Sequence, residues 1–182
     1  MISAEGVQII LRELANTDEV PGDVVELGCN IGTTSVFIQD YLKGSKLFHV
    51  YDSFEGLPDK HTKDTNQTER QFSKGQCLTN LDQFLNTFYK EDKPLPEIHI
   101  GWFKDAELPE KISFAFFDGD FYTSIMDSWE KVYSRLSPGA VVCVHDYGWD
   151  VLPGVKLACD EFLSDKPETM TCENFIGILK KV

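Results

Sequence analysis

Two short acidic stretches each follow directly on an apolar run. Ile112 to Phe117 leads into Asp118-Gly119-Asp120, and Ala140 to Val144 leads into His145-Asp146-Tyr147. In an open α/β sheet, ligands bind beyond the carboxyl ends of the strands, and adjacent strands lie about 5 Å apart. Asp118 and Asp146 are therefore predicted to converge. Two uncompensated carboxylates that close repel each other, and a divalent cation relieves the repulsion. Carboxylate oxygens are hard ligands, so Mg²⁺ is the first expectation, with Mn²⁺ or Ca²⁺ behind it. His145 leaves two options. If its imidazole reaches the ion, Mn²⁺ or Fe²⁺ gains weight; if it points away, it serves as a base near neutral pH. Neighbours on a strand face opposite sides, so His145 and Asp146 share a ligand only if the strand has already ended. The metal set read from the sequence is Asp118, His145 and Asp146.

A second constellation lies near the N-terminus. Val24-Val25-Glu26-Leu27-Gly28-Cys29-Asn30-Ile31-Gly32 joins a strand to a helix beginning at Thr33 through a glycine loop. It is not the G-x-G-x-x-G dinucleotide fingerprint, because Asn30 stands where the second glycine lets a backbone approach a pyrophosphate. No Gly-Lys-Ser/Thr follows, so it is not a P-loop. A second strand ends at Tyr51-Asp52, followed by Ser53, and Asp52 is placed to accept hydrogen bonds from ribose hydroxyls. A glycine loop without a phosphate cradle, joined to a ribose-binding acid, suits a nucleoside cofactor without phosphates, of which S-adenosylmethionine is the commonest. The expected cofactor residues are Glu26, Gly28, Cys29, Asn30, Gly32, Thr33, Asp52, Ser53 and Asp118, with Glu26 receiving the amino group.

Helical and strand patterns alternate along the whole chain, the mark of a doubly wound, mostly parallel α/β sheet. The periodicity predicts helices over 4–15, 33–42, 78–89, 124–136 and 155–163, and strands over 23–27, 47–51, 97–100, 112–117 and 140–144. The helix at 78–89 presents Leu78, Leu81, Leu85 and Phe88 on one face, and Ser137-Pro138-Gly139 reads as a turn. Residues 169–172 and 175–180 read as a closing antiparallel hairpin, giving seven strands. Between Glu55 and Gln76 the sequence is polar and aperiodic, which marks either a functional lid or a disordered segment. Trp102, Phe103, Phe121 and Tyr122 either line an acceptor or adenine pocket or pack in the core.

The 182 residues suffice for one domain over 1–182 with a full core, and 42% hydrophobic and 26% charged residues are ordinary for a globular chain. A formal charge of −13 repels phosphates and anionic lipid, so no nucleic-acid or membrane partner is expected. Five cysteines form no CxxC pair, and neither a signal peptide nor an apolar run of membrane-spanning length is evident. A reduced, cytoplasmic protein is the simplest reading.

The stretches GDVVELGCNIG, VYDSFEGLPD, GWFKD with LPEKI, FFDGDFYTSIMDSWEKVYSRLSPGAVV, and HDYGW followed by PGVKLACDEF occupy residues 22–163. In this order they resemble the macrocin-type O-methyltransferases, which methylate sugar hydroxyls of macrolide and aminocoumarin antibiotics. The resemblance implies a class I methyltransferase fold and Mg²⁺-dependent transfer to a hydroxyl of a small molecule. By position, Asp118 corresponds to a metal ligand and Asp120 to the general base, with His145 as the other candidate base. Two departures stand out. The family has two consecutive acids after the fifth strand, whereas here the first is His145. Only some 20 residues precede Gly22, which points to an acceptor that is smaller, differently held or covered by a partner subunit, as in a homodimer. The rival reading is a methyltransferase fold that binds the cofactor without catalysis; a nicotinamide-dependent enzyme is disfavoured by Asn30.

Overall fold

The computed structural model describes residues 2–182. Helix α1 (Ala4–Ala15) is capped by the Ser3 hydroxyl, which accepts from the Gly6 N–H. Strand β1 (Asp23–Leu27), helix α2 (Thr33–Leu42), strand β2 (Phe48–Asp52), helix α3 (Leu81–Lys90) and strand β3 (Glu97–Ile100) follow. Strand β4 (Ile112–Phe117), helix α4 (Tyr122–Val132), strand β5 (Leu136–Val144), helix α5 (Pro153–Phe162), strand β6 (Thr171–Glu173) and strand β7 (Ile176–Lys180) complete the chain. The strands form one sheet in the order β3-β2-β1-β4-β5-β7-β6. Pairing is parallel from β3 to β5, and β7 is antiparallel to both β5 and β6. The doubly wound sheet with a closing hairpin is therefore as expected.

Helices cover both faces, so the central strands have no polar side. Phe114 and Phe116 of β4 join Val24, Val50 and Cys143 under α1, α2 and α3. Ala115 and Phe117 join Val25, Val142 and Val144 under α4 and α5, where Trp129 stands edge-on to Phe117 with ring centroids 5.0 Å apart. This alternation explains the unbroken apolar run of β4, whose six residues are all buried.

Several boundaries differ from the periodicity. Strand β2 is shifted by one residue, leaving Leu47 exposed and taking Asp52 into the ladder opposite Ile100. Helix α3 starts at Leu81 because Asn80 and Gln83 form a capping box there. Leu78 lies before the cap, 68% exposed, and Phe84 with Phe88 supplies the buried face. Helix α4 ends at Val132 in a short 3₁₀ turn (Tyr133–Arg135), and Leu136 begins β5. Ser137-Pro138-Gly139 is a bulge within β5, where the register steps from Ile112↔Leu136 to Phe114↔Val141. Ser137 donates to the Pro21 carbonyl, Gly139 donates to the Lys181 carbonyl at φ 86°, and exposed Pro138 has no N–H to lose.

The polar segment after β2 is built into the fold. Leu57 donates to Gln76 and Gly75 to Leu57, pinching its two ends together. Between them the Asp64 side chain, fully buried, accepts from the backbone N–H groups of His61 (2.9 Å) and Tyr122 (2.7 Å). It thereby caps α4 from a distance, since Phe121 at the N-cap has no side-chain acceptor. Gly154 at the start of α5 leaves room for it; a Cβ there would lie 1.8 Å from Asp64 Oδ1.

Candidate active site

The strand order reverses between β1 and β4, and this is where the candidate site forms. The ladder continues one residue past each strand: Gly28 donates to Tyr51, Asp118 to Leu27 and His145 to Phe117. That extension sets Gly28, Asp118 and His145 side by side. Gly28 is required there, for its φ is 98° and a Cβ would stand 2.3 Å from the Asp118 carbonyl oxygen. A cavity of about 670 Å³ opens over these strand ends.

Strand β5 ends at Val144, and Asp146 takes a left-handed conformation, φ 59°. The break in alternation brings both side chains to the same place, the condition posed for a shared ligand. His145 Nδ1 lies 2.8 Å from Asp118 Oδ1 and 3.3 Å from Asp146 Oδ2. One donor atom from each of Asp118, His145 and Asp146 falls within 4.8 Å of the others. Burial works against a charged imidazole, but the Asp118 carboxylate, then Asp146 and Asp120, outweigh it and raise His145 to about 9. Burial raises Asp146 to about 6, tempered by His145. Asp120 lines the same cavity outside the three-donor set, left-handed at φ 60°, and burial together with Asp118 and Asp146 pushes it up to about 8. Asp and Asn tolerate this backbone region best, and such strain gathers at working sites.

On the β1 side, Glu26 is 1% exposed and its Oε2 has no hydrogen-bond partner among the described residues. Burial raises its carboxyl to about 8, partly offset by the Ser35 hydroxyl. Asp52 accepts from the Asn30 N–H through Oδ2 and from the Phe54 N–H through Oδ1, each at 2.8 Å. Each oxygen keeps a lone pair for a further donor. Asn30, at φ 48°, donates from its side chain to the Cys77 carbonyl and so ties the glycine loop to the polar segment.

Glu26, Gly28, Cys29, Asn30, Thr33, Asp52, Ser53, Asp118, Asp120, His145 and Asp146 all line the cavity. Gly32 does not; it caps α2 at φ 81° and packs against Phe84 and Phe88, where a Cβ would fall within about 3 Å of their rings. Trp102 and Phe103 line the cavity, whereas Phe121 is fully buried in the core and Tyr122 packs beneath the polar segment. The sequence reading missed Arg70, Phe72 and Cys77, which the polar segment brings to the rim, and Ser124. Trp149 was visible within HDYGW.

The family model described as Macrocin-O-methyltransferase (TylF) matches residues 5–173. The 8-demethyl-8-(2,3-dimethoxy-alpha-L-rhamnosyl)-tetracenomycin-C 4'-O-methyltransferase of Streptomyces olivaceus is 33% identical over 152 residues, 76% of this chain and 58% of the relative. The mycinamicin III 3''-O-methyltransferase of Micromonospora griseorubida is 32% identical over 165 residues, 82% of this chain and 63% of the relative. The chain thus spans less than two thirds of these relatives. Among solved structures, the O-methyltransferase NovP superposes with a TM-score of 0.79 at 24% identity, covering 98% of this chain and 78% of that one. TomG from Streptomyces achromogenes, in complex with SAM, gives 0.63 at 15% identity over 100% and 81% of the two chains. These structures establish a shared methyltransferase fold, and because the family model matches residues 5–173, nearly the whole of this chain, the chain belongs to the macrocin O-methyltransferase family.

Proposed function

We propose that this chain transfers a methyl group from S-adenosylmethionine to a hydroxyl of a sugar or other vicinal-diol-like small molecule, with a divalent cation, Mg²⁺ or Mn²⁺, at Asp118, His145 and Asp146. The observation that carries the reading is the meeting of two differently equipped halves in one cavity. One half offers Glu26, a buried carboxylate oxygen awaiting a donor, and Asp52 with free lone pairs on both oxygens. These fit an amino group and a ribose. The other half offers two carboxylates and an imidazole within 4.8 Å, a donor set suited to a hard or borderline cation. The relatives' names describe methylation on the sugar portions of antibiotics, which supports a sugar hydroxyl as acceptor.

When bound, the cofactor supplies an electrophilic methyl group, and the cation supplies charge that makes a hydroxyl easier to deprotonate. The chain does the rest. Burial, with Asp118 and Asp146, pushes Asp120 up to about 8, and a cation neutralising those two acids would bring it down, so that Asp120 is the carboxylate placed to take up a proton. Without the cation His145, raised to about 9, holds its proton between Asp118 and Asp146, and as a ligand it would give its lone pair to the cation instead; in either state Asp120 is the better proton acceptor of the two. Trp102, Phe103, Phe72 and Trp149 line the cavity and displace water from the reacting groups. All five cysteines are free, as suits a cytoplasmic enzyme, and no helix among the described residues is long and apolar enough to cross a membrane.

A second reading, cofactor binding without catalysis, rests on His145, whose proton already bridges the acid pair. Turnover separates the two. Incubated with S-adenosylmethionine, Mg²⁺ or Mn²⁺ and a panel of hydroxylated glycosides, the protein is expected to release S-adenosylhomocysteine, and excess chelator or Asp120→Asn to suppress the release. Cofactor binding with no turnover on any acceptor favours the second reading, and undiminished turnover in chelator removes the cation.

A further inference from the structure

Arg70 is the one arginine or lysine among the residues lining a cavity that also contains Glu26, Asp52, Asp118, Asp120 and Asp146. Its guanidinium lies over two rings, 4.9 Å from the Phe72 centroid and 5.0 Å from the Trp149 centroid. The rings themselves meet edge to face at 6.3 Å, so they form a corner that holds the guanidinium by cation–π contact. Some arginines and lysines elsewhere in the chain pair with acids: Arg12 with Glu13 and Glu173, Lys63 with Glu161, Lys93 with Asp40 and Lys181 with Glu168. Arg70 joins no ion pair among the described residues, and only its backbone carbonyl takes part in hydrogen bonding. What sets Arg70 apart is its place: it is a cation seated on two rings in a cavity otherwise rich in acids. Stacking on rings leaves the in-plane N–H donors free, and those donors match a carboxylate or phosphate in a bidentate fork.

We infer that Arg70, seated on Phe72 and Trp149, is a specificity determinant of the acceptor side, and that the acceptor is an anionic hydroxylated compound bearing a phosphoryl or carboxyl group. This inference rests on the methyltransferase reading of the cavity. It adds that a neutral glycoside is the poorer ligand. The alternative is that Arg70 only offsets the surrounding acids; its charge would then matter and its fork would not, and neutral and anionic ligands would respond alike.

The test uses the quenching of intrinsic fluorescence, since two of the three tryptophans, Trp102 and Trp149, line the cavity. The full chain, in chelator and saturating S-adenosylhomocysteine, is titrated with glucose 1-phosphate, with glucuronate and with methyl glucoside. Glucose 1-phosphate or glucuronate is expected to bind at least about tenfold more tightly than methyl glucoside. Whichever anion binds more tightly identifies the group as phosphoryl or carboxyl. In Arg70→Ala the ratio of anionic to neutral affinity should collapse by about tenfold, and Arg70→Lys should restore less than half of that loss, because an ammonium has no fork. Equal binding of all three ligands, an equal loss for all three in Arg70→Ala, or full rescue by lysine would overturn the inference. Failure of S-adenosylhomocysteine itself to bind the unmodified chain would instead strike the methyltransferase reading.

Discussion

Replacing Glu26 by glutamine should stabilise the protein while weakening its hold on the cofactor. Glu26 is 1% exposed, carries an unpaired oxygen, and titrates near 8 in the fold against 4.5 in an unfolded chain. Because the folded pKa is the higher one, the folded state keeps the proton after the unfolded chain has released it. Stability therefore falls as pH rises from about 4.5 to about 8. At 1.36 kcal/mol per pH unit across that window, the loss amounts to about 1 kcal/mol at pH 5 and about 3 kcal/mol at pH 7. Glutamine has the same shape and no charge, so it removes this cost. In a chain of this size 1 kcal/mol corresponds to roughly 2–4 °C, which places Glu26→Gln about 6–12 °C above the unmodified protein at pH 7 and only about 2–4 °C above it at pH 5. Thermal unfolding followed by circular dichroism at the two pH values reads the difference directly, and calorimetry with S-adenosylhomocysteine reads the loss of a partner for its amino group. A destabilised variant, or the same Tm shift at both pH values, would refute the assignment of Glu26 as a buried carboxylate held in reserve for a ligand. Trading stability for a working site in this way is a general pattern.

Asp64→Ala leaves the Tyr122 N–H without its acceptor and opens a void against Gly154, so it should cost about 3 kcal/mol and lower Tm by roughly 6–12 °C. It should also speed tryptic cleavage between Lys60 and Lys74, and an unchanged Tm would show that the segment is not anchored there. Asp118→Asn removes the carboxylate that raises His145 to about 9, so in chelator its imidazole should titrate at least one pH unit lower by NMR. The unmodified, metal-free protein should lose His145's contribution to stability as pH rises through about 9, and the variant should not; an unmoved titration would place the source of the shift elsewhere.

The elements that carry the site were legible because each announces itself locally. An apolar run leading into an acid reads as a buried strand with polar groups at its carboxyl end, and β4 and β5, with Asp118 and Asp146 beyond them, follow from that pattern. Asp52 is legible from its place at the end of the second strand, and the structure takes it into β2, where its carboxylate accepts from the Asn30 N–H. What escaped depends on contacts distant in sequence. The bulge at Ser137-Pro138-Gly139 has the composition of a turn and is a strand only because Pro21 and Lys181 bond it from other elements. Asp64 and Arg70 lie in a polar stretch without periodicity, and nothing nearby shows that one caps a helix 58 residues on or that the other rests on Trp149. Helix α3 was misplaced because Leu78 continues the apolar spacing beyond the Asn80 cap.

The central claim is that the glycine loop and Asp52 hold a nucleoside cofactor beside a cation site. Calorimetric titration of the unmodified chain and of Asp52→Ala with S-adenosylhomocysteine, first in chelator and then with Mg²⁺ or Mn²⁺, tests it most directly. The account predicts binding by the unmodified chain in both conditions, at least about tenfold weaker binding by Asp52→Ala for the lost ribose contacts, and a separate heat for the ion. No binding by the unmodified chain, or equal affinity in Asp52→Ala, would contradict it.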